Sequence, residues 1–128
     1  MRLLLDTQIV LWALTGSARL GGLAHELIVD SANEIHVSTA SIWEIAIKHA
    51  LGRGDMPVSG ARVAALCAQA GYRELPINWR HAALIDTLPT LHGDPFDRIL
   101  VAQARAEPMR LLSRDAILAG YGAMVMPV

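Results

Sequence analysis

The stretch EIHVSTASIWE, residues 34–44, changes its periodicity halfway along. Residues 34–38 alternate between polar and apolar side chains, which predicts a β-strand. Positions 42, 45, 46 and 49 then share one helical face, which predicts an α-helix that ends near Gly52. The chain therefore passes directly from a strand into a helix at this point.

The same alternation extends in both directions. Toward the amino end, residues 3–5 predict a short buried strand, Thr7 is placed to cap a helix that runs to about Leu14, and a second helix is expected over residues 23–32. Toward the carboxyl end, the expected elements are a helix over residues 59–70, a strand over 72–75, a short helix capped by Asn78, a helix from Pro95 to about Glu107, a strand over 109–112, a short helix over 115–119 and a strand over 123–126. Strands that alternate with helices favour a parallel sheet covered on both faces, so we expect an α/β fold with one domain over residues 1–128.

Composition excludes several classes of protein. Apolar residues make up 53% of the chain and charged residues 18%, which excludes a disordered chain and suggests that some apolar surface meets a partner. The net charge of −1 gives no overall basic signature for nucleic-acid binding. The lone Cys67 excludes a disulfide scaffold and a cysteine-rich zinc site. No apolar run is as long as a membrane span, and Asp6 interrupts the first one too early for a signal peptide, so we expect a soluble, cytoplasmic protein with no membrane contact.

Four acidic residues follow the predicted strands. Asp6 comes directly after the first strand, and Glu44 is expected in the first turn of the helix after the second. Asp97 lies in the first turn of the helix that begins at Pro95, and Asp115 follows the strand over 109–112. The carboxyl ends of parallel strands meet at one edge of a sheet, where open α/β folds bind ligands. We therefore expect these four side chains to converge.

Converging carboxylates repel one another unless a cation lies between them. Oxygen ligands suit hard divalent ions such as Mg²⁺ and Mn²⁺, and such ions can activate water for attack on phosphorus. The chemistry implied is phosphodiester hydrolysis. Each acid also has a structural interpretation. Ser41 and Glu44 fit a capping box, and Asp94 fits an N-cap that leaves Asp97 at the positive end of its helix. Asp115 fits a cap of its own short helix, and Asp6 fits the start of a turn. Helix capping alone does not explain why all four acids are expected at the same edge of the sheet.

Four motifs carry a family resemblance. They are LLDT at 4–7, STASIWE at 38–44, HGDPFDR at 92–98 and SRD at 113–115. Together they resemble a PIN-domain ribonuclease and, more closely, a VapC-type toxin of a toxin–antitoxin pair. The resemblance spans nearly the whole chain in order, and DPFDR followed by a helix rich in Ala and Gln is its most specific element.

The resemblance implies properties that periodicity and composition do not. By position, Asp6, Glu44, Asp97 and Asp115 match the family's metal-binding carboxylates. The family also implies a sheet order of 3-2-1-4-5, dependence on Mg²⁺ or Mn²⁺, endoribonuclease activity on RNA, a homodimer, and inhibition by a cognate small antitoxin.

Polar residues beside these acids are candidates for support or substrate contact. Thr7 and Ser113 can hold a metal-bound water or a phosphate, or can act as caps. Asp94 is either a fifth ligand or a cap. Arg98 and Arg114 flank the site and can neutralise phosphates, although Arg98 equally fits a structural ion pair.

Two further groups of residues have weaker assignments. Lys48, Arg53 and Arg105 either extend a surface for the RNA backbone or are solvated. His92 is either a ligand for metal or phosphate or, as is more frequent for such a histidine, an ordinary loop residue. An antitoxin segment is expected in an apolar groove lined by the following side chains, unless the tryptophans belong to the core: Trp12, Trp43 and Ile47.

Three other functions can be compared with this pattern of acidic residues. A PIN-like RNA-processing nuclease or DNA 5′-nuclease without an antitoxin would present a similar acidic site. A phosphoryl-accepting receiver domain is disfavoured, because it needs adjacent acids after the first strand and a late lysine, whereas this chain has Asp6 alone and only Lys48. A catalytically inactive binding module is disfavoured because all four acidic positions are occupied.

Overall fold

The computed structural model describes residues 1–52 and 56–128, and five parallel strands form one sheet within them. The strands are β1 (Arg2–Leu5), β2 (Glu34–Ser38), β3 (Arg73–Leu75), β4 (Arg110–Ser113) and β5 (Val125–Pro127). Their order across the sheet is β3-β2-β1-β4-β5. The helices are α1 (Thr7–Thr15), α2 (Gly22–Val29), α3 (Thr39–Ala50), α4 (Gly60–Gln69), α5 (Trp79–Leu84) and α6 (Pro95–Ala106), with 3₁₀ helices at Ala18–Leu20, Ile85–Thr87 and Leu118–Tyr121. Both the α/β class and the expected sheet order are confirmed.

Helices cover both faces of the sheet, which explains why residues 3–5 of β1 are all apolar. Successive side chains of a strand point to opposite faces. Leu3 and Leu5 therefore enter one core layer with Ile9 of α1, whereas Leu4 enters the other with Leu100 of α6. All five side chains have no exposed surface. The sheet is buried from both sides and presents only its edges.

The strand register brings the loops of the candidate site to one edge. Leu5 of β1 pairs with Val37 of β2 and with Leu112 of β4. The backbone N–H of Asp6 donates to the Leu112 carbonyl at 3.1 Å, which extends the pairing by one residue. The segments that follow β1, β2 and β4 therefore leave the sheet side by side.

Helix caps differ from the sequence prediction at two positions of the site. Asp6, not Thr7, caps α1, because its carboxylate accepts from the Ile9 N–H at 2.9 Å. The Ser41–Glu44 capping box is wrong. Ser38 caps α3 through the Ala40 N–H at 3.0 Å, so the helix begins earlier and Glu44 lies in its second turn, not its first. The structural interpretation of Glu44 as a capping residue is thereby removed.

The remaining element predictions hold with shifted ends. Caps at Ser59, Asn78 and Asp94 are confirmed. The second helix ends at Val29, since the Asp30 side chain accepts from the Ala32 N–H and turns the chain. The short helix expected over residues 115–119 is instead the 3₁₀ turn Leu118–Tyr121. Within the described residues, no helix is both long and apolar enough to cross a bilayer.

Candidate functional site

An open cleft of about 350 Å³ lies at the carboxyl edge of the sheet. Carboxylates dominate its described lining, since five acids face only two cations there. The acids are Asp6, Glu44, Asp94, Asp97 and Asp115, and the cations are Lys48 and Arg114. The four acids predicted from the sequence to converge thus line one cleft, together with Asp94.

Asp6 is buried at the floor of the cleft. Its carboxylate accepts from the Ile9 N–H, and burial raises its pKa despite a hydrogen bond from the Ser113 side chain. The Ser113 hydroxyl oxygen also accepts from the Asp115 N–H at 3.0 Å. Ser113 therefore supports two of the acids and is itself buried, as expected of a supporting residue.

Glu44 is held by donors on both oxygens. The Thr7 hydroxyl donates to Oε1 at 2.7 Å and lies 3.0 Å from the Ser41 hydroxyl. The Lys48 ammonium donates to Oε2 at 2.8 Å, one helical turn away on α3. Thr7, predicted as a helix cap or support, therefore orients Glu44. Lys48 partly neutralises this side of the cleft.

Asp97 and Asp115 form the tightest part of the site, together with His92. Each of the three offers a ligand atom within 4.8 Å of the other two. His92 Nε2 lies 2.9 Å from Asp97 Oδ2 and 3.0 Å from Asp115 Oδ2. Asp6 and Glu44 line the same cleft but are not part of this close group.

The surroundings of Asp97 disfavour its ionised form. Its pKa is raised to about 6, first by burial and then by the neighbouring carboxylates of Asp94 and Asp6, and the opposing effect of His92 does not cancel these. A divalent cation would relieve this repulsion, and a set of carboxylate oxygens is the donor set that Mg²⁺ and Mn²⁺ prefer. The residues present therefore fit such an ion.

The two arginines of the motifs have different surroundings. Arg114 lines the cleft, with its guanidinium 5.2 Å from the centroid of the Trp12 ring. Arg98 lies outside the cleft lining, where it donates to the Leu88 carbonyl at 3.3 Å. Within residues 1–52 and 56–128, neither forms an ion pair, so the structural ion pair considered for Arg98 is not observed. Arg98 supports the loop before α6.

Other predicted residues are not gathered at one surface. Arg105 donates to the Tyr121 carbonyl at 2.6 Å, which is a structural contact, and Arg53 lies outside the described residues. Trp12 packs against the core layer on the α1 side of the sheet, whereas Trp43 packs edge-on against Phe96 with their ring centroids 5.2 Å apart. The two tryptophans therefore belong to different environments, contrary to the single groove that the sequence suggested.

A second cavity has a different lining from the acidic cleft. It has a volume of about 490 Å³ and a mainly apolar lining that includes Trp43, Ile77, Phe96 and Ile99. Trp43 and Glu44 are adjacent in α3 but line different cavities. Trp43 lines this cavity, whereas Glu44 lines the acidic cleft. Trp43 is 59% exposed, so this surface is open to a partner.

The sequence offered His92 as a possible ligand for metal or phosphate but did not predict its contact with both Asp97 and Asp115. Its contacts join a loop to residues five and 23 positions further along the chain. No periodicity connects these positions, because the loop brings them together only in the folded protein. The one available signal is its place two residues before Asp94, inside the HGDPFDR motif.

Comparison with known proteins gives one family and several similar folds. A family model described as PIN domain matches residues 3–123. The structure of VapBC2 from Rickettsia felis bound to a promoter DNA fragment is similar, with a TM-score of 0.68 and 14% identity over 99% of this chain and 98% of that one. FitAcB from Neisseria gonorrhoeae is similar with a TM-score of 0.61 and 19% identity over 91% and 89% of the respective chains. No curated protein matches the sequence.

Proposed function

The chain belongs to the PIN domain family, and from this and the acidic cleft we propose that it is a metal-dependent endoribonuclease. It hydrolyses RNA phosphodiester bonds and leaves 5′-phosphate and 3′-hydroxyl ends. The observation that carries this proposal is the convergence of Asp6, Glu44, Asp97 and Asp115 on one cleft. Mg²⁺ or Mn²⁺ is the cofactor.

The four acids together form the cation site in this proposal. Asp6, Asp97 and Asp115 hold the cation, and Glu44 completes the site from α3. Hydrogen bonds from Thr7 and Lys48 orient the Glu44 carboxylate. A bound divalent ion lowers the pKa of a water ligand and stabilises charge on the leaving oxygen. Asp94 caps α6 through the Phe96 N–H at 2.8 Å and adds negative charge without a required role as ligand.

Arg114 binds the substrate phosphate in this proposal. Its planar guanidinium suits phosphate oxygens, and the Trp12 ring limits its freedom at the rim of the cleft. We expect Arg114→Gln to weaken RNA binding about tenfold. The slope of log affinity against log salt concentration should also become shallower by about one, because one phosphate contact is lost. Affinity measured in catalysis-blocking Ca²⁺ at several salt concentrations tests this. Arg80→Gln, which changes an exposed residue of α5, is the control. An equal loss of RNA affinity in both variants would contradict the assignment of Arg114 as a phosphate-binding residue.

We further propose that the protein is the toxin of a toxin–antitoxin pair, acting in the cytoplasm on RNA. VapBC2 and FitAcB, named above, are the similar structures that support this role. Exposed apolar side chains, including Trp43 at 59% and Trp79 at 95%, are consistent with both a homodimer and an antitoxin partner. Co-expression with a small neighbouring gene, followed by size-exclusion chromatography, tests the pairing; a toxin unaffected by that partner counts against it.

The substrate class is tested by incubating the purified protein with end-labelled RNA and DNA of the same sequence. Cleavage of RNA alone, with products that a 5′-phosphate-dependent exonuclease degrades, supports the proposal. Cleavage of DNA instead would support the alternative DNA 5′-nuclease.

Divalent metal should stabilise the folded protein. At about ten times its dissociation constant, Mg²⁺ or Mn²⁺ adds roughly 1.4 kcal/mol by mass action, or about 5 °C in Tm for a chain of this size. Thermal melting in EDTA and in graded metal measures the shift. An unmoved midpoint in the wild type, at concentrations that support cleavage, would contradict metal binding at the cleft.

A further inference from the structure

His92 touches two carboxylates of the cleft without lining the cleft itself. Its Nε2 hydrogen-bonds to Asp115 Oδ2 at 3.0 Å and lies 2.9 Å from Asp97 Oδ2. The described lining of the cleft includes both aspartates but not His92. The imidazole therefore approaches them from the side, at the junction of the loop before α6 and the loop after β4.

The backbone of His92 is anchored to the buried core. Its N–H donates to the Tyr121 hydroxyl at 3.0 Å, and Tyr121 is only 2% exposed. The Tyr121 carbonyl in turn accepts from Arg105 of α6 at 2.6 Å. A chain of contacts thus runs from Arg105 of α6 through Tyr121 to the backbone of His92, and it fixes the point from which the half-buried imidazole extends.

We propose that His92 is a positioning residue that holds Asp97 and Asp115 at the spacing needed to bind the divalent cation, and this rests on the proposed function. Two neighbouring carboxylates repel each other, so their side chains separate unless a donor lies between them. One donor shared by Oδ2 of both residues opposes that separation.

The carboxylates keep capacity for a cation while His92 holds them. Asp115 Oδ1 accepts from the Ile117 N–H at 2.9 Å, so Asp115 is fixed at both oxygens. An ionised carboxylate offers about four lone-pair positions, and these contacts use only part of them. Ligating carboxylates in metalloproteins are commonly held by such hydrogen bonds from outside the coordination sphere. His92 orients the ligands and is not a ligand itself.

Mn²⁺ binding measured by electron paramagnetic resonance tests this role directly. We expect His92→Leu to weaken Mn²⁺ affinity by about 10- to 100-fold, the range typical of residues that orient metal ligands. His92→Gln keeps an N–H donor of similar reach and should recover most of the affinity. His25→Leu, which changes an exposed histidine of α2, should bind Mn²⁺ as the wild type does.

Tyr121→Phe provides a second, milder variant that keeps the buried ring. It removes only the hydroxyl that anchors His92, so Mn²⁺ affinity should fall by a smaller factor, about 3- to 10-fold. In the double variant with His92→Leu the losses should not add, because both act through the same imidazole.

Three results would overturn the proposal. Wild-type affinity in both His92→Leu and Tyr121→Phe would exclude a positioning role. Strong ¹⁴N coupling from an imidazole to Mn²⁺ in pulsed spectra would make His92 a ligand. Failure of the wild type itself to bind Mn²⁺ would remove the metal site and the proposed function together, which distinguishes that failure from the first two.

Discussion

Asp6→Asn and Asp97→Asn are each expected to lower kcat/KM for RNA cleavage by at least about 100-fold. Each substitution removes one negative charge from the cation site and leaves the shape of the side chain unchanged. The Asp6 variant should still fold, because asparagine caps a helix as well as aspartate does, and the Asp6 side chain caps α1 through Ile9. Initial rates on a labelled RNA in Mn²⁺ provide the measurement.

Asp30→Asn is the matched control for this prediction. Asp30 is exposed beyond the end of α2, and its side chain accepts a local hydrogen bond that asparagine can also accept. We expect this variant to cut RNA at the wild-type rate. Full activity in both Asp6→Asn and Asp97→Asn would show that the acidic cleft is not the catalytic site.

Asp97→Asn should also raise the free energy of unfolding in EDTA at pH 8, by about 1–3 kcal/mol. The pKa of Asp97 is raised to about 6 in the folded protein, above its usual value of 3.8. A raised folded-state pKa means that the ionised carboxyl destabilises the fold above that pKa, and that this cost disappears as the pH falls toward the unfolded value. The variant loses activity and gains stability at once.

The difference in Tm between the wild type and Asp97→Asn should depend on pH, and this dependence discriminates better between the two interpretations. Melting of wild type and variant in EDTA should differ most at pH 8, and the difference should shrink through about pH 6 as Asp97 takes up a proton. The structural interpretation predicts the reverse sign. If Asp97 served only as a charge near the amino end of α6, its loss would lower Tm at pH 8.

The fold could be predicted from local patterns because nearly every element carries its own signal. The alternation in residues 34–38 and the proline after Asp94 each mark a boundary that the structure retains. The order of the strands has no such local signal, since β1 pairs with segments about 30 and 110 residues away. That order came from the family resemblance, and the structure confirms it.

Side-chain partners at the site were less predictable than the positions of the acids. Sequence alone favoured Thr7 as a cap, yet its hydroxyl turns to Glu44 across the gap between α1 and α3. His92 and Arg114 owe their surroundings to Tyr121 and Trp12, which are distant in sequence. Such contacts depend on tertiary packing, which no period of two or 3.6 residues encodes.

A paired titration of Mn²⁺ binding and RNA cleavage on the same wild-type sample tests the central claim most directly. If the carboxylates of the cleft hold the catalytic cation, cleavage should rise in proportion to Mn²⁺ occupancy, stop in EDTA and return when Mn²⁺ is restored. Asp97→Asn should shift the binding curve to higher Mn²⁺ and abolish the rate in parallel. Undiminished cleavage in EDTA, or Mn²⁺ occupancy unchanged by Asp97→Asn, would contradict a metal-dependent site at this edge of the sheet.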